Sequence, residues 1–266
     1  MTGRFGGGRD RRPSGRSPRR PSGRSARYSR APWGTTPVER LLILVLAAAI
    51  VGVLAGLLLP RISPQIGAIT GRYAATGEAA DRLSTLKVAD DPRPAAQYDR
   101  DAFGFRSTDA DGDGCDVREA VLKRDMTDVT TTPGGCKVNT GLLADPYTGR
   151  IIRFTRGAGT SAAVQIDHVV ALENAWKSGA SDWSAAKRIQ FGNDPYNLLA
   201  VDGQANEDKG SASAAYWLPE NRAYRCAYVA RQIGVKAKYG LSVTGAEKRA
   251  MLGVLHGCPG QTVPED

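Results

Sequence analysis

The sequence predicts an α+β fold, on three observations. Short apolar runs of strand character, such as Ile151–Phe154 and Leu198–Val201, sit between helix-like segments without a regular βαβ alternation. A turn signal, Asp145-Pro146-Tyr147-Thr148-Gly149, separates two of those runs in the manner of a hairpin. The apolar periodicity of the last third of the chain, in Ala223–Val235 and Thr244–Leu255, is helical.

Composition divides the 266 residues before any element is assigned. Residues 1–37 hold ten Arg and one Asp, a formal charge of +9, which is the net charge of the whole chain. The remaining 229 residues carry 26 basic and 26 acidic side chains, so the high pI belongs to the tail alone. Bulk charge therefore does not argue for nucleic-acid binding by the rest, and any phosphate-binding surface must be a local patch. The tail repeats PSGR and is rich in Gly, Ser and Pro, a composition that cannot bury apolar area and is expected to be disordered.

Residues 38–60 read as a transmembrane anchor. Leu41–Leu59 contains 19 residues without a charge, and a helix of that length spans roughly 28 Å, close to the roughly 30 Å hydrocarbon core of a bilayer. That run exceeds the apolar core of a cleaved signal, and no A-x-A site follows it at once, which favours a retained anchor. The arginines before it place the tail in the cytoplasm and the rest outside the cell. Residues 61–97 read as a stalk in which Ile69–Lys87 can form a short helix and Asp91-Pro92-Arg93-Pro94 breaks any continuation. The external domain is assigned to 98–266.

Within that domain, Phe103–Phe105 leads into an acidic turn. Asp116–Asp125 then puts Val117, Val121 and Leu122 on one side of a helix. Lys137–Leu143 and Ile151–Phe154 read as the hairpin strands. Val164–Leu172 reads as a strand running into a helix, Trp183–Phe191 as a helix, Leu198–Val201 as a short strand, and Asn206–Ala215 as the start of another helix. The four cysteines, Cys115, Cys136, Cys226 and Cys258, all fall on the external side, where an even count reads as two disulfides. Three pairings are open; proximity in sequence favours Cys115–Cys136 and Cys226–Cys258. None has the close spacing of a structural zinc site.

The residues that carry chemistry lie in VQIDHVVAL (164–172), NDPYNLLAV (193–201) and NEDKG (206–210). Hydrolysis of a phosphodiester needs an activated water, a cation facing the phosphoryl oxygens and stabilisation of the leaving alkoxide. His168 suits the first task as a general base. Asp167 and Asn206 offer a carboxylate and an amide oxygen, hard donors that suit Mg²⁺, with Mn²⁺ as a substitute. Neighbouring residues of a regular strand face opposite ways, so Asp167 and His168 share a site only if the strand ends or distorts there. Asn197 can both donate and accept, and so can clamp the loop behind His168. Lys209, one helical turn beyond Asn206, is a candidate for a phosphate oxygen, as are Arg118, Arg153 and Arg156. Each residue has an ordinary reading too, Asn197 as a turn residue and Asn206 as a helix cap; it is the ordered set that points to a site. Asp109, Asp111 and Asp113 begin like a calcium loop and form a second candidate metal site, although the twelfth position is Ala120 where a bidentate Glu is needed.

At these residues the chain resembles the HNH, or ββα-metal, endonuclease superfamily, in its variant with Asp-His leading and Asn last. More specifically it is similar to the branch found as the C-terminal domain of GmrSD restriction enzymes and in secreted bacterial proteins. DADGDGCDVREAVLKRD (109–125), DPYTG (145–149), IDHVVAL (166–172), NDPYNLLAV (193–201), NEDKG (206–210) and Trp217-Leu218-Pro219 follow it in order, over roughly residues 98–258. The resemblance implies a ββα-metal core within the α+β domain, Asp167 and Asn206 as metal ligands, His168 as general base and Asn197 as a structural asparagine. It also implies one divalent ion, Mg²⁺ first, and a nucleic-acid substrate, with DNA favoured and little sequence preference. No obligate protein partner is evident. The competing expectation is a nuclease-derived scaffold that no longer cuts and serves as an envelope binding module, which the neutral charge of the domain supports.

Overall fold

The computed structural model describes residues 36–62, 75–90, 94, 96–109 and 112–265. The expected disorder of the tail, the first part of the stalk and Asp111 of the acidic run lie outside the described residues. Helix α1, Pro37–Ile62, opens on a capping box in which Thr36 and Glu39 bond each other's backbone N–H. Its segment Pro37–Leu59 has a mean hydropathy of 3.0 and exposed apolar side chains, so it has the length and composition to cross a membrane.

The remaining described residues form a mixed α+β fold with two small sheets. Helix α2 is Glu78–Thr85. It does not stand apart as a stalk: Ala79, Ala80 and Leu83 are buried in the core formed by α7 (Arg225–Tyr239) and α8 (Gly245–Leu255). Val88 forms a parallel bridge to Val243 just after it. The folded unit therefore begins well before residue 98. The reason is an amphipathic pattern too short to be read against its Pro-rich and polar flanks, which buries its face only when α7 and α8 are present.

Helix α3, Val117–Asp125, is capped by Asp116, whose side chain accepts from the Glu119 N–H, and it buries Val117, Val121 and Leu122. A strand not expected from sequence follows. Strand β1, Met126–Thr131, pairs antiparallel with β2, Val138–Ala144, which pairs in turn with β3, Ile151–Thr155. Its sequence MTDVTT offers little apolar alternation, and its register shifts between Thr127 and Thr130, with Asp128 at φ 51°. Such a bulged edge strand is made by its partner more than by its own pattern. The disulfide Cys115–Cys136 ties the loop before α3 to the β1–β2 turn, and Cys226–Cys258 ties the start of α7 to the end of α8.

The second sheet has two strands. Strand β4, Val164–His168, pairs antiparallel with β5, Leu198–Asp202, with Asp167 opposite Leu199 and His168 opposite Leu198. Between them run α4 (Leu172–Lys177) and α5 (Ala185–Gly192). Directly after β5 comes α6, Gly203–Lys209, capped by Asp202, whose side chain accepts from Ala205 N–H at 2.9 Å. The helix expected to start at Asn206 thus starts three residues earlier and ends at Gly210, and Asn206 sits inside it. A Cβ at Gly203 would collide with the Ala162 carbonyl, so only glycine lets α6 begin this close to the segment leading into β4.

Leu83→Ala tests whether α2 belongs to the domain. With the side chain fully buried, the substitution is expected to lower unfolding free energy by about 2–5 kcal/mol in a denaturant titration. A stalk residue exposed to solvent would change it by under about 0.5 kcal/mol.

Candidate functional site

Three sequence-distant pieces meet at the end of β4: the strand itself, helix α6, and the segment 96–105 that precedes the acidic loop. Asp167, His168, Asn206 and Arg100 line one cleft of about 140 Å³. Asp167 and Gln165 leave β4 toward α6. Lys209 Nζ donates to Asp167 Oδ1 at 2.9 Å, and Asn206 Nδ2 donates to Gln165 Oε1 at 2.7 Å. That second bond fixes the amide and leaves its Oδ1 directed away from Gln165. Asn206 and Lys209 are three residues apart on α6 and so share the face turned to the strand.

His168 is the last residue of β4, so the strand ends where two neighbouring side chains must serve one cleft. Its ring packs edge-on against Phe105 at 5.0 Å between centroids, and Nε2 lies 2.8 Å from the Gly192 carbonyl. A carbonyl can only accept, so Nε2 carries the proton and Nδ1 keeps its lone pair. Burial pushes the imidazole down to about 3, partly offset by that carbonyl, with the charges of Arg100 and Lys209 lowering it further. The ring is therefore neutral, and a proton acceptor, throughout the neutral pH range. A Cβ at Gly192 would collide with the Phe103 carbonyl; glycine is what allows the end of α5 to approach the turn at Asp101–Phe103.

Asn197 is fully buried at the foot of the loop. Its Oδ1 accepts from Val170 N–H at 2.8 Å and its Nδ2 donates to the Val170 carbonyl at 3.1 Å. Its own carbonyl accepts from Val169 N–H at 2.8 Å. The chain leaving His168 is thus held on both sides by one residue.

Lys209 departs from its expected role. It is 1% exposed and bonds Asp167 and the His168 carbonyl at 3.0 Å, so it is not a surface group awaiting a phosphate. The physical reason is Asp167 itself: a carboxylate buried this deeply requires a counter-charge. Its other oxygen accepts a short hydrogen bond from Tyr147 Oη. Burial raises the Asp167 carboxyl above the usual range, while Lys209 and the hydrogen bonds from Tyr147 and Lys209 pull it back. Burial likewise raises the Tyr147 phenol well above its ordinary value, so it stays a donor.

The arginines named from sequence lie elsewhere. Arg156 forks onto Glu119, with Nη2 at 2.7 and 2.6 Å from the two oxygens, because that carboxylate is 2% exposed and also accepts from Val138 N–H. Arg118 is half-buried, donates to the Val164 carbonyl at 3.3 Å, and is lowered by burial. Arg153 is exposed on β3 of the other sheet, outside the cleft. In the acidic run, Asp109 accepts from the Gly112 and Gly114 N–H groups and Asp113 pairs with Lys123 at 2.7 Å. These two carboxylates are engaged in building the turn beside Cys115, and Asp111 lies outside the described residues.

The sequence reading missed Arg100, Phe105, Tyr147, Gln165 and Gly192 as site residues. Tyr147 and Gln165 had a signal, their places in the DPYTG and VQIDHVVAL motifs; the others act through contacts between segments far apart in the chain. A divalent cation fits the donors present, since a carboxylate and an amide oxygen, both hard, face one polar cleft. Lys209 already offsets the charge of that carboxylate, which leaves a weaker electrostatic hold on such an ion than an unpaired Asp would have.

Two measurements test this electrostatic arrangement. Lys209→Met strands the buried Asp167 charge and is expected to cost about 3–5 kcal/mol of stability, with part recovered in the double variant with Asp167→Asn. For His168, the ring is held at about 3 when folded against an ordinary value of 6.5. Between those pH values the unfolded chain binds a proton that the folded chain refuses, so stability falls as pH is lowered through that window. Denaturant titrations at a series of pH values should show a shallower fall for His168→Gln than for the parent.

Residues 116–254 match the family model described as GmrSD restriction endonucleases, C-terminal domain. A protein of Arthroderma benhamiae described as an "uncharacterized secreted protein" is 40% identical over 168 residues, covering 62% of this chain and 78% of that relative. No solved structure matches. Since the family model spans Asp167, His168, Asn197 and Asn206 and covers just over half of the chain, the protein belongs to the family of the GmrSD restriction endonuclease C-terminal domain.

Proposed function

We propose that the protein is a metal-dependent endonuclease of the HNH type, held at the cell surface by α1, that hydrolyses phosphodiester bonds in DNA with little sequence preference. The observation that carries this reading is the convergence of Asp167, His168 and Asn206 on one cleft from β4 and α6. The order β4, clamped loop, β5, α6 supports this reading, since it runs strand, strand, helix around the cleft.

His168 does the proton work. With Nε2–H tied to the Gly192 carbonyl, Nδ1 is the atom that accepts the proton of an attacking water. Asn197 and Phe105 hold the ring and the chain behind it, which keeps the base at a fixed distance from the bond to be broken. Asp167 and Asn206 Oδ1 would hold one divalent cation, Mg²⁺ first, which supplies positive charge to the phosphoryl oxygens and to the departing 3′ oxygen. Attack on the phosphorus from the side opposite that oxygen leaves 5′-phosphate and 3′-hydroxyl ends.

One observation favours a second reading, a scaffold that binds an envelope polymer without cutting it. Both Asp167 oxygens already have partners, Lys209 and Tyr147. A carboxylate oxygen has a second lone pair for an ion, so the two readings separate by assay and not by geometry alone.

The location follows from other features. The arginine-rich residues 1–37 before α1 favour a cytoplasmic tail and an external domain. Two disulfides and a relative described as secreted suit an oxidising exterior.

The test uses the full chain purified in detergent, with plasmid DNA, single-stranded DNA and RNA as substrates and Mg²⁺ or Mn²⁺ added. Cleavage is expected with metal and not with chelator, and His168→Ala should lose about 10²–10⁴-fold in rate while keeping its thermal unfolding transition. Polymer binding that ignores chelation, with no cleavage of any substrate, would establish the second reading instead.

A further inference from the structure

We propose that Arg100 is the phosphate-binding residue of the Asp167–His168 cleft, contacting the phosphodiester anion directly; this deepens the nuclease reading above and rests on it. Arg100 is exposed, lines the cleft together with Asp167, His168 and Asn206, and makes no ion pair among the described residues. Its charge acts on both Asp167 and His168, in each case after burial and nearer partners.

The other cations are spoken for. Lys209 is buried on Asp167, Arg156 is forked onto Glu119, Arg118 is turned to the Val164 carbonyl, and Arg153 stands on the other sheet. Among the residues lining the cleft, Arg100 is the cation that solvent, and hence substrate, can reach. A planar guanidinium presenting paired N–H groups matches two oxygens of a phosphodiester, which a buried ammonium cannot do.

Its position is built and not incidental. Trp176 Nε1 donates to the Ala96 carbonyl at 2.9 Å, and the Tyr98 ring packs edge-on to Trp176 at 6.0 Å. Burial raises the Tyr98 phenol and the neighbouring Arg100 charge pulls it back. On the far side, Phe103 is fully buried against Trp176 and Phe191, and Asn193 Nδ2 donates to the Gly104 carbonyl at 2.8 Å. The stretch from Tyr98 to Phe103 is therefore pinned at both ends, with Arg100 between the pins and Phe105, which braces His168, just beyond them.

The test uses full-length protein in detergent. In the His168→Ala background, binding of a fluorescein-labelled duplex DNA oligomer is measured across a salt series. Arg100→Gln is expected to weaken binding and reduce the slope of log affinity against log salt by about 0.9, the loss of one phosphate contact. In the parent background it should lower kcat/KM by about 10²–10³-fold with an unchanged unfolding temperature, and Arg100→Lys should fall between. An Arg100→Gln protein that keeps both slope and cleavage rate, while His168→Ala is inert, overturns the inference and leaves the nuclease reading standing. A parent protein that cleaves no nucleic acid removes that reading and the inference with it.

Discussion

The buried pair of Lys209 and Asp167 is the constraint on which the site depends. It joins the end of α6 to the end of β4 across 42 residues of chain, with an ammonium that solvent barely reaches. Such a pair contributes little net stability, because removing two charges from water offsets most of their attraction. What it does is exclude alternatives: a one-residue slip of β4 would turn Asp167 away from α6 and leave both charges buried and unpaired. Gln165 follows the same register, bonding Asn206 and Glu207 one turn earlier on the helix.

The same pair sets the chemistry available. A neutralised carboxylate beside an uncharged amide makes a donor set with almost no net charge, so a cation placed there would keep its charge for a phosphate. Metal and nucleic acid would then bind interdependently, each weakly without the other. The imidazole contributes no charge either, since burial keeps it neutral. Residues 98–266 carry 20 basic and 21 acidic side chains, so on the proposed reading the positive potential offered to a phosphodiester is local, at Arg100 on the cleft.

That segment shows how the fold spreads a site over the chain. Residues 96–105 have no regular structure beyond a single turn at Asp101–Phe103, yet they carry both the ring against His168 and the cleft's exposed cation. Their order comes from aromatic packing on α4 and α5, through Trp176 and Phe191, and not from local propensity. Likewise α2, which reads as stalk, is held by α7 and α8 and is part of the same folded unit.

By itself the sequence determined the mixed fold, most of the helices, four of the five strands and the hairpin turn within the external domain, because apolar periodicity, caps and turn residues are local signals. It also marked Asp167, His168, Asn197 and Asn206, which stand in order in short motifs, as the candidates for chemistry. The tertiary structure decided their partners. That Lys209 neutralises Asp167, that Arg156 belongs to Glu119, that β1 forms an edge and that Arg100 reaches the cleft follow from contacts between residues tens of positions apart. Burial decides these outcomes: a charge placed in the interior must take whichever opposite charge the fold brings within reach, and no local pattern records which one that is.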